Sequence, residues 1–454
     1  MYDCSKEFKK YYRRKVVLPE SKQNELREKR KLNVDRLKKG IKKYNEENKT
    51  SYKVSEDRIQ GSMAMHTVVQ NDNNDYDIDV GIVFDKENLG DMGPLATRNM
   101  VSKALKKETW QFTEDPEVKT SCVRIKYSEG YHVDFALYRR FKDYEWEEGY
   151  KYEHAGSEWA SRDLKALEDW FKDEIKEKGD VLRKVIRLSK TFCRSRESWK
   201  EMPSGLIQTV VCSECIDLTY ERLDEIFYYT MKEVVKKLKN SLEVSAPVDN
   251  NRPLVNREID YTRMKNWKTR LEAKLEELDV LFDFNCEESD AFNAWSEFFN
   301  CEYFKTIINE QNEDVVDNLA YNNTEEFIDD IYPVMEVYDV SIDCRVSSDG
   351  FRETSIYKYL NERSKFFKKF VPYNFRVKCK VKDTNCPEYD KILWKVRNVG
   401  DEAIRNNCIR GQIEDRGKEI EEPTSFSGPH YIECYLIKDD ICVAVGHVDV
   451  PIGE

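Results

Sequence analysis

Asp77-Ile78-Asp79-Val80-Gly81-Ile82-Val83-Phe84 is the stretch that governs the fold class of this chain. Ile78, Val80, Ile82 and Phe84 recur at every second position, the period of a strand with one buried face. On such a strand Asp77 and Asp79 project side by side from the same face. Two parallel carboxylates repel unless a cation lies between them, and Mg²⁺ is the usual hard cation for such oxygens. Asp75 competes as the first member of an Asp75-x-Asp77 pair. Asp77 and Asp79 are preferred because the clean apolar alternation starts at Ile78.

Upstream, Gly61-Ser62-Met63-Ala64 precedes the strand by a short polar segment. Gly allows close backbone approach, and backbone N–H groups with the Ser62 hydroxyl can hold terminal phosphates. Downstream, Tyr131-His132-Val133-Asp134-Phe135 places an acid among apolar residues, an awkward place for an unpaired charge. If the sheet sets Asp134 beside Asp77 and Asp79, three carboxylates can hold two metal ions, an arrangement suited to in-line displacement at phosphorus. Mg²⁺ is therefore the expected cofactor, with Mn²⁺ able to replace it. Singly, an Asp-x-Asp strand and a Gly-Ser turn are commonly structural; in this order they favour catalysis.

The rest of the chain sets limits. Its 454 residues are too many for one typical core, so two or three domains are expected. A formal net charge of -12 argues against bulk nucleic-acid binding, which usually needs a basic face. The polar start Met1-Tyr2-Asp3-Cys4-Ser5-Lys6 and the lack of a long apolar run predict no membrane span and a cytoplasmic protein. The 13 cysteines then read as reduced thiols, and Cys212 with Cys215 as a buried helical pair rather than a zinc site.

Val34, Leu37, Ile41 and Tyr44 form one helical stripe within the charged segment from about 21 to 48. A helix near Thr97–Lys107 and strands at Cys122–Tyr127 and Tyr131–Leu137, joined by Ser128-Glu129-Gly130, complete an α/β region. From about 158 to 331 the spacing is mostly helical, with a break at Ser245–Pro253. In Val181–Ser195 one helical face carries Arg183, Arg187, Lys190 and Arg194, and such a face is by default solvated. Short β-prone runs at Val340–Val346, Phe375–Val381, Leu393–Val399 and Tyr431–Ile437 predict a β-rich module beginning near Tyr338.

Gln60-Gly61-Ser62, then Asp77-Ile78-Asp79, then His132-Val133-Asp134 closely resemble the cGAS/DncV-like nucleotidyltransferases (CD-NTases), and the Gln-Gly-Ser form looks most like the bacterial dinucleotide cyclase branch. The resemblance covers roughly residues 15–335. It implies an α+β fold: a polymerase-β-like nucleotidyltransferase core with a mixed sheet and N-terminal long helix over 1–157, then a helical lobe completing the nucleotide pocket over 158–337. It also implies a nucleotide contact by Gln60, and donor-triphosphate contacts by Lys190 and by Ser204, which opens the next apolar helix after Pro203. Base-selecting residues do not carry over. The segment from Trp394 to Ile452 resembles the AGS-C module, a proposed sensor domain. It gives a β-sandwich-like domain over 338–454 with a possible ligand. There His430 and Arg410 could equally face a ligand or be satisfied structural groups.

The expected activity is joining of nucleoside triphosphates, ATP and others, into a cyclic or short linear oligonucleotide second messenger, with release of pyrophosphate. The resemblance implies antiphage signalling, with a separate effector protein reading the product. The competing readings are a template-independent transferase acting on a nucleic-acid or protein acceptor, and a non-catalytic nucleotide sensor.

Overall fold

The computed structural model describes residues 1–453 except 72–74, 145–148, 308–324, 351, 364–369 and 407. The chain divides into two compact units, Met1–Pro19 with Gln23–Asn312, and Glu313–Glu454 with Glu20–Lys22.

In the first unit the strands are β1 (Val54–Ile59), β2 (Asp77–Asp85), β3 (Glu117–Val118), β4 (Val123–Lys126), β5 (His132–Phe141), β6 (Lys151–Ala155) and β7 (Trp159–Ser161). They form one sheet of order β1-β2-β5-β4-β3, with β6 joining β5 to β7. Only β2 and β5 run parallel, so the sheet is mixed. Helices α1 (Ser5–Tyr11), α2 (Glu20–Asn48), α3 (Gly61–Ala64), α4 (Lys86–Leu89) and α5 (Pro94–Lys106) accompany it.

The period-two pattern of β2 does its expected work. Ile78, Val80, Ile82 and Phe84 are buried together with Val133, Phe135 and Leu137 of β5, under Val34, Leu37 and Ile41 of α2 and Val101 and Ala104 of α5. Gly40 lets α2 lie directly on α5, since a Cβ there would overlap the Ala104 carbonyl oxygen. One face of the sheet is thus covered by helices. Because side chains alternate, Asp77, Asp79 and Asp134 are left on the other face.

Helices α6 (Ala166–Lys178), α7 (Val181–Arg194), α8 (Gly205–Cys215), α9 (Leu223–Asn240), α10 (Glu258–Glu277) and α11 (Glu288–Phe299) form the helical lobe. Its core is aromatic: Phe8 of α1 meets Phe227 of α9 and Trp295 and Phe299 of α11 at ring distances of 4.6–6.1 Å. Ser204 caps α8, its hydroxyl accepting from Ile207 N–H at 3.4 Å, an arrangement worth about 1 kcal/mol. Cys212 is buried within α8, and Cys215 ends that helix. Ser245–Pro253, expected as a plain break, is a β-ribbon of β8 (Ser245–Ala246) and β9 (Asp249–Pro253).

The second unit is a sandwich of two four-stranded antiparallel sheets. One contains β10 (Val340–Ser347), β11 (Thr354–Ser355), β12 (Arg376–Thr384) and β15 (Glu419–Pro423). The other contains β13 (Lys391–Arg397), β14 (Arg410–Asp415), β16 (Gly428–Lys438) and β17 (Ile441–Ile452). Cys344, Val377, Trp394, Cys434 and Val443 are among the side chains that fill the space between them. The outer face of the second sheet is covered in part by a segment upstream of Tyr338, where Ile328, Tyr332 and Val334 pack on Leu393, Tyr435 and Cys442. Among the described residues no helix is long and apolar enough to cross a membrane.

Candidate active site

The parallel register of β2 and β5 sets Asp77 opposite His132 and Asp79 opposite Asp134. Register partners on parallel strands share a face, so the three acids form one patch. A further residue, not anticipated from the sequence, completes it. Arg124 on β4 faces Asp134 across the antiparallel β4–β5 pair. Its Nε donates to Asp134 Oδ1 at 2.7 Å and its Nη2 to Asp134 Oδ2 at 2.6 Å and to Asp77 Oδ1 at 3.1 Å. The hydrogen bonds to Asp134 hold the Arg124 guanidinium above its ordinary pKa. His132 Nδ1 stands 3.6 Å from Asp75 and 3.9 Å from Asp77.

Asp79 is the group left without a bonded partner. No hydrogen-bond donor among the described residues reaches its carboxylate. Burial, reinforced by the charges of Asp77 and Asp134, pushes its pKa up to about 7. Among the described residues the acids do not converge on a single ion position, because Arg124 takes both oxygens of Asp134. A hard divalent cation nevertheless fits this donor set. All the candidate donor atoms of the three acids are carboxylate oxygens, and among the described residues Asp79 has no hydrogen-bond partner for its carboxylate.

The Gly61-Ser62 turn lies against these acids. Gln60 N–H donates to the Asp79 carbonyl at 2.9 Å, and Gly61 follows with φ of 66°. A Cβ at position 61 would overlap Asp79 Oδ2, so both backbone conformation and space call for glycine. Gly61 and Ser62 begin the single turn of α3. The Gln60 side chain is engaged with the Tyr138 hydroxyl at 3.3 Å and packs under Gly81.

Lys190 links this region to the helical lobe. Its ammonium donates to Thr67 Oγ1 at 2.7 Å and to the Thr67 carbonyl at 3.1 Å, while its Cε lies beside Gly205 at the start of α8. Ser204, the residue before Gly205, is one peptide away from this contact. Burial first, then the neighbouring Arg194 and Arg187 charges, lowers the Lys190 pKa to about 7.

The default reading of the α7 basic face as solvated is overturned for Arg183, Arg187 and Lys190 and holds for Arg194, which is exposed. Arg183, Arg187 and Lys190 are 3%, 5% and 8% exposed. Arg183 Nε donates to the Met65 carbonyl at 3.2 Å and its Nη1 pairs with Asp180, while Arg187 donates to the Tyr12 hydroxyl at 2.7 Å. Three cations at helical spacing are buried because distant oxygens are there to receive them.

In the second unit His430 and Arg410 line a cavity of about 290 Å³ with Asn398, Phe426 and Val450. Both are internally bonded. His430 Nδ1 accepts from Val399 N–H at 2.9 Å, its Nε2 lies 2.6 Å from the Phe426 carbonyl, and Arg410 pairs with Glu422 through two bonds of 2.6 and 3.1 Å.

A mixed sheet with acids on its open face, a Gly-Ser turn over them and a packed helical lobe define a nucleotidyltransferase. Comparison with known proteins gives its kind. Residues 56–138 match the family described as Cyclic GMP-AMP synthase DncV-like, nucleotidyltransferase domain, and residues 322–453 match the Adenylyl/Guanylyl and SMODS C-terminal sensor domain. A cyclic GMP-AMP synthase of Escherichia albertii is 24% identical over 415 residues, covering 86% of this chain and 83% of that protein. The crystal structure of Vibrio cholerae DncV cyclic AMP-GMP synthase with the linear intermediate 5′ pppA(3′,5′)pG superposes with a TM-score of 0.51. It shares 19% identity, over 63% of this chain and 91% of that one. CdnC of E. coli MS115-1, solved in complex with HORMA-deltaN, gives a TM-score of 0.50 at 14% identity, over 65% and 96% of the two chains. By these matches the chain carries a DncV-like nucleotidyltransferase domain and an AGS-C sensor domain.

Proposed function

We propose that this nucleotidyltransferase joins nucleoside triphosphates, ATP among them, into a cyclic or short linear oligonucleotide, releasing pyrophosphate. The single observation that carries the reading is the register pairing of Asp79 with Asp134 beside Asp77, under the Gly61-Ser62 turn. The activities named for the relatives, cyclic GMP-AMP and cyclic AMP-GMP synthesis, support it. Residues 1–157 act as the catalytic core, 158–337 complete the nucleotide pocket, and 338–454 sense a ligand.

Asp77, Asp79 and Asp134 would hold Mg²⁺, which when bound neutralises the phosphates and lowers the pKa of a ligating hydroxyl. The chain's own groups do the rest. The Gly61 and Ser62 N–H groups and the Ser62 hydroxyl hold the donor triphosphate from the sheet side, and Lys190 with Ser204 holds it from the helical side. A ribose hydroxyl of the acceptor attacks the α-phosphorus; the new O–P bond forms as the bond to the β-phosphate oxygen breaks. The hydroxyl proton passes to Asp134 once Arg124 yields one of its oxygens, and pyrophosphate leaves. The product serves as a second messenger for a separate effector protein in bacterial antiphage signalling, in the cytoplasm.

The test is incubation of the purified protein with Mg²⁺ or Mn²⁺ and the four ribonucleoside triphosphates, followed by mass spectrometry. Phosphatase-resistant cyclic or linear oligonucleotides are expected. Products found only on an added nucleic-acid or protein acceptor would replace this reading by that of an acceptor-directed transferase.

A further inference from the structure

The outer face of the β13-β14-β16-β17 sheet carries charges that a solvated sheet face does not need to bury. Lys395 and Arg397, two apart on β13, point to this face and are 2% and 6% exposed. The register sets Lys395, Glu433 and His447 in one row and Arg397, Tyr431 and Asp449 in the next. Glu433 and Asp449 are committed to His447, at 3.2 and 3.0 Å. Glu433 also stands 3.5 Å from Lys395.

The remaining cationic charge is met by Glu325, which belongs to no strand or helix. Its Oε1 accepts from Lys395 Nζ and from the Tyr431 hydroxyl, both at 2.9 Å, and its Oε2 lies 3.5 Å from Arg397 Nε. Among the described residues, Lys395, Arg397 and protonated His447 balance Glu325, Glu433 and Asp449. Without Glu325 the described cluster would hold one positive charge in excess, with two cations and a phenol aimed at one position. The segment that brings Glu325 in meets the sheet edge at Gly411 and Ile413, its backbone lying against Gly411. Glu326 N–H donates to the Gly411 carbonyl at 3.0 Å, Ile413 N–H donates to Glu326 at 2.8 Å, and Phe327 lies over Lys395. Ile328, Tyr332 and Val334 pack in an apolar cluster of their own, so lifting residues 325–327 need not undock them.

We propose that Lys395, Arg397 and Tyr431 form an anion site that Glu325 fills as an intramolecular ligand, and that a phosphate oxyanion of single charge, free or in a phosphodiester, displaces it. Two cations and a hydroxyl donor suit such a group, and displacement exchanges one anion for another without leaving a buried charge unpaired. Binding is thereby coupled to release of residues 325–327.

The test uses the full chain and its Glu325→Gln variant, titrated calorimetrically with inorganic phosphate and, separately, with a dinucleotide phosphodiester, at constant ionic strength. Removing the resident carboxylate is expected to tighten binding of at least one probe about tenfold, because the site no longer has to be opened. The probe that gains more identifies the source of the oxyanion. Adding Lys395→Gln to Glu325→Gln is expected to abolish the gain. A purely structural ion pair would lose stability in Glu325→Gln and gain no ligand, and that result would overturn the proposal. If Glu325→Gln fails to fold, amide exchange on the wild-type chain decides. At saturating probe the Glu326 and Ile413 amides are expected to lose protection, and unchanged protection overturns the proposal.

Discussion

Asp79 on β2 and Asp134 on β5 are register partners across the one parallel strand pair of their sheet, yet only Asp134 is bonded to an arginine. Arg124 clasps Asp134 from the neighbouring strand and touches Asp77 in passing, while Asp79 faces two like charges with no donor to its carboxylate among the described residues. That asymmetry determines which substitutions disable the site and which retune it.

Asp79→Asn keeps the shape and removes a charge held in repulsion. Nucleotide joining is expected to fall about a hundredfold or more, the scale seen when a preorganised electrostatic contact to the reacting phosphate is lost. The melting temperature is expected to hold or rise. Full activity in this variant would remove Asp79 from the chemistry and return attention to Asp75.

Arg124 and a divalent ion need the same carboxylate oxygens. Arg124→Gln is therefore expected to lower the half-saturating concentration of Mn²⁺ about tenfold, within the range by which neighbours of metal ligands alter affinity. Metal binding followed by paramagnetic resonance reads this without relying on turnover. An unchanged or weaker affinity would show that the guanidinium assists the ion instead.

Gly61→Ala meets two obstacles, the left-handed backbone and the Asp79 carboxylate. The backbone alone costs about 1–2 kcal/mol, and the overlap must push Asp79 or the turn aside. A lower melting temperature combined with loss of activity is expected. A mutant with wild-type stability and turnover would mean that the turn does not approach Asp79 in solution.

The sandwich has its own pH window. Burial opposes charge on His447, but bonds to Asp449 and Glu433 prevail and raise its pKa to about 9. Burial likewise opposes ionisation of Glu433, but Lys395 and His447 bring it down to about 2. For His447 the folded value lies above the ordinary 6.5, so its contribution is complete below that pH and lost as pH rises through about 9. For Glu433 the contribution is complete above the ordinary 4.5 and lost as pH falls toward 2. Protection of β17 amides, corrected for intrinsic exchange, is expected to be level from about pH 5 to 6.5 and to decline by pH 9. His447→Gln should flatten that upper limb.

Much of this was legible in the residues. The alternation from Ile78 to Phe84 gave β2 its inner and outer faces, and an acid inside the apolar run of β5 is hard to explain without a cation. Arg124 was not legible, because an arginine on a four-residue strand looks like any solvent-facing position until register sets it across from Asp134. The basic side of α7 misled for a related reason: helical spacing tells which residues share a face, not what that face meets. Met65, Thr67 and Tyr12, which receive Arg183, Lys190 and Arg187, lie more than a hundred residues away in sequence. The Asn- and Pro-rich stretch at Ser245–Pro253 has turn chemistry, and its turn joins two short paired strands.

The crossover between β2 and β5 has a bearing on synthesis of the chain. During translation Asp77 and Asp79 emerge well before Asp134, so a growing polypeptide holds two of its acids on an unfinished sheet. Until β5 slots in between β2 and β4, Asp134 does not stand across from Asp79. Competence at this centre thus arrives with closure of the sheet, and fragments truncated before Tyr131 should be inert however well their helices form.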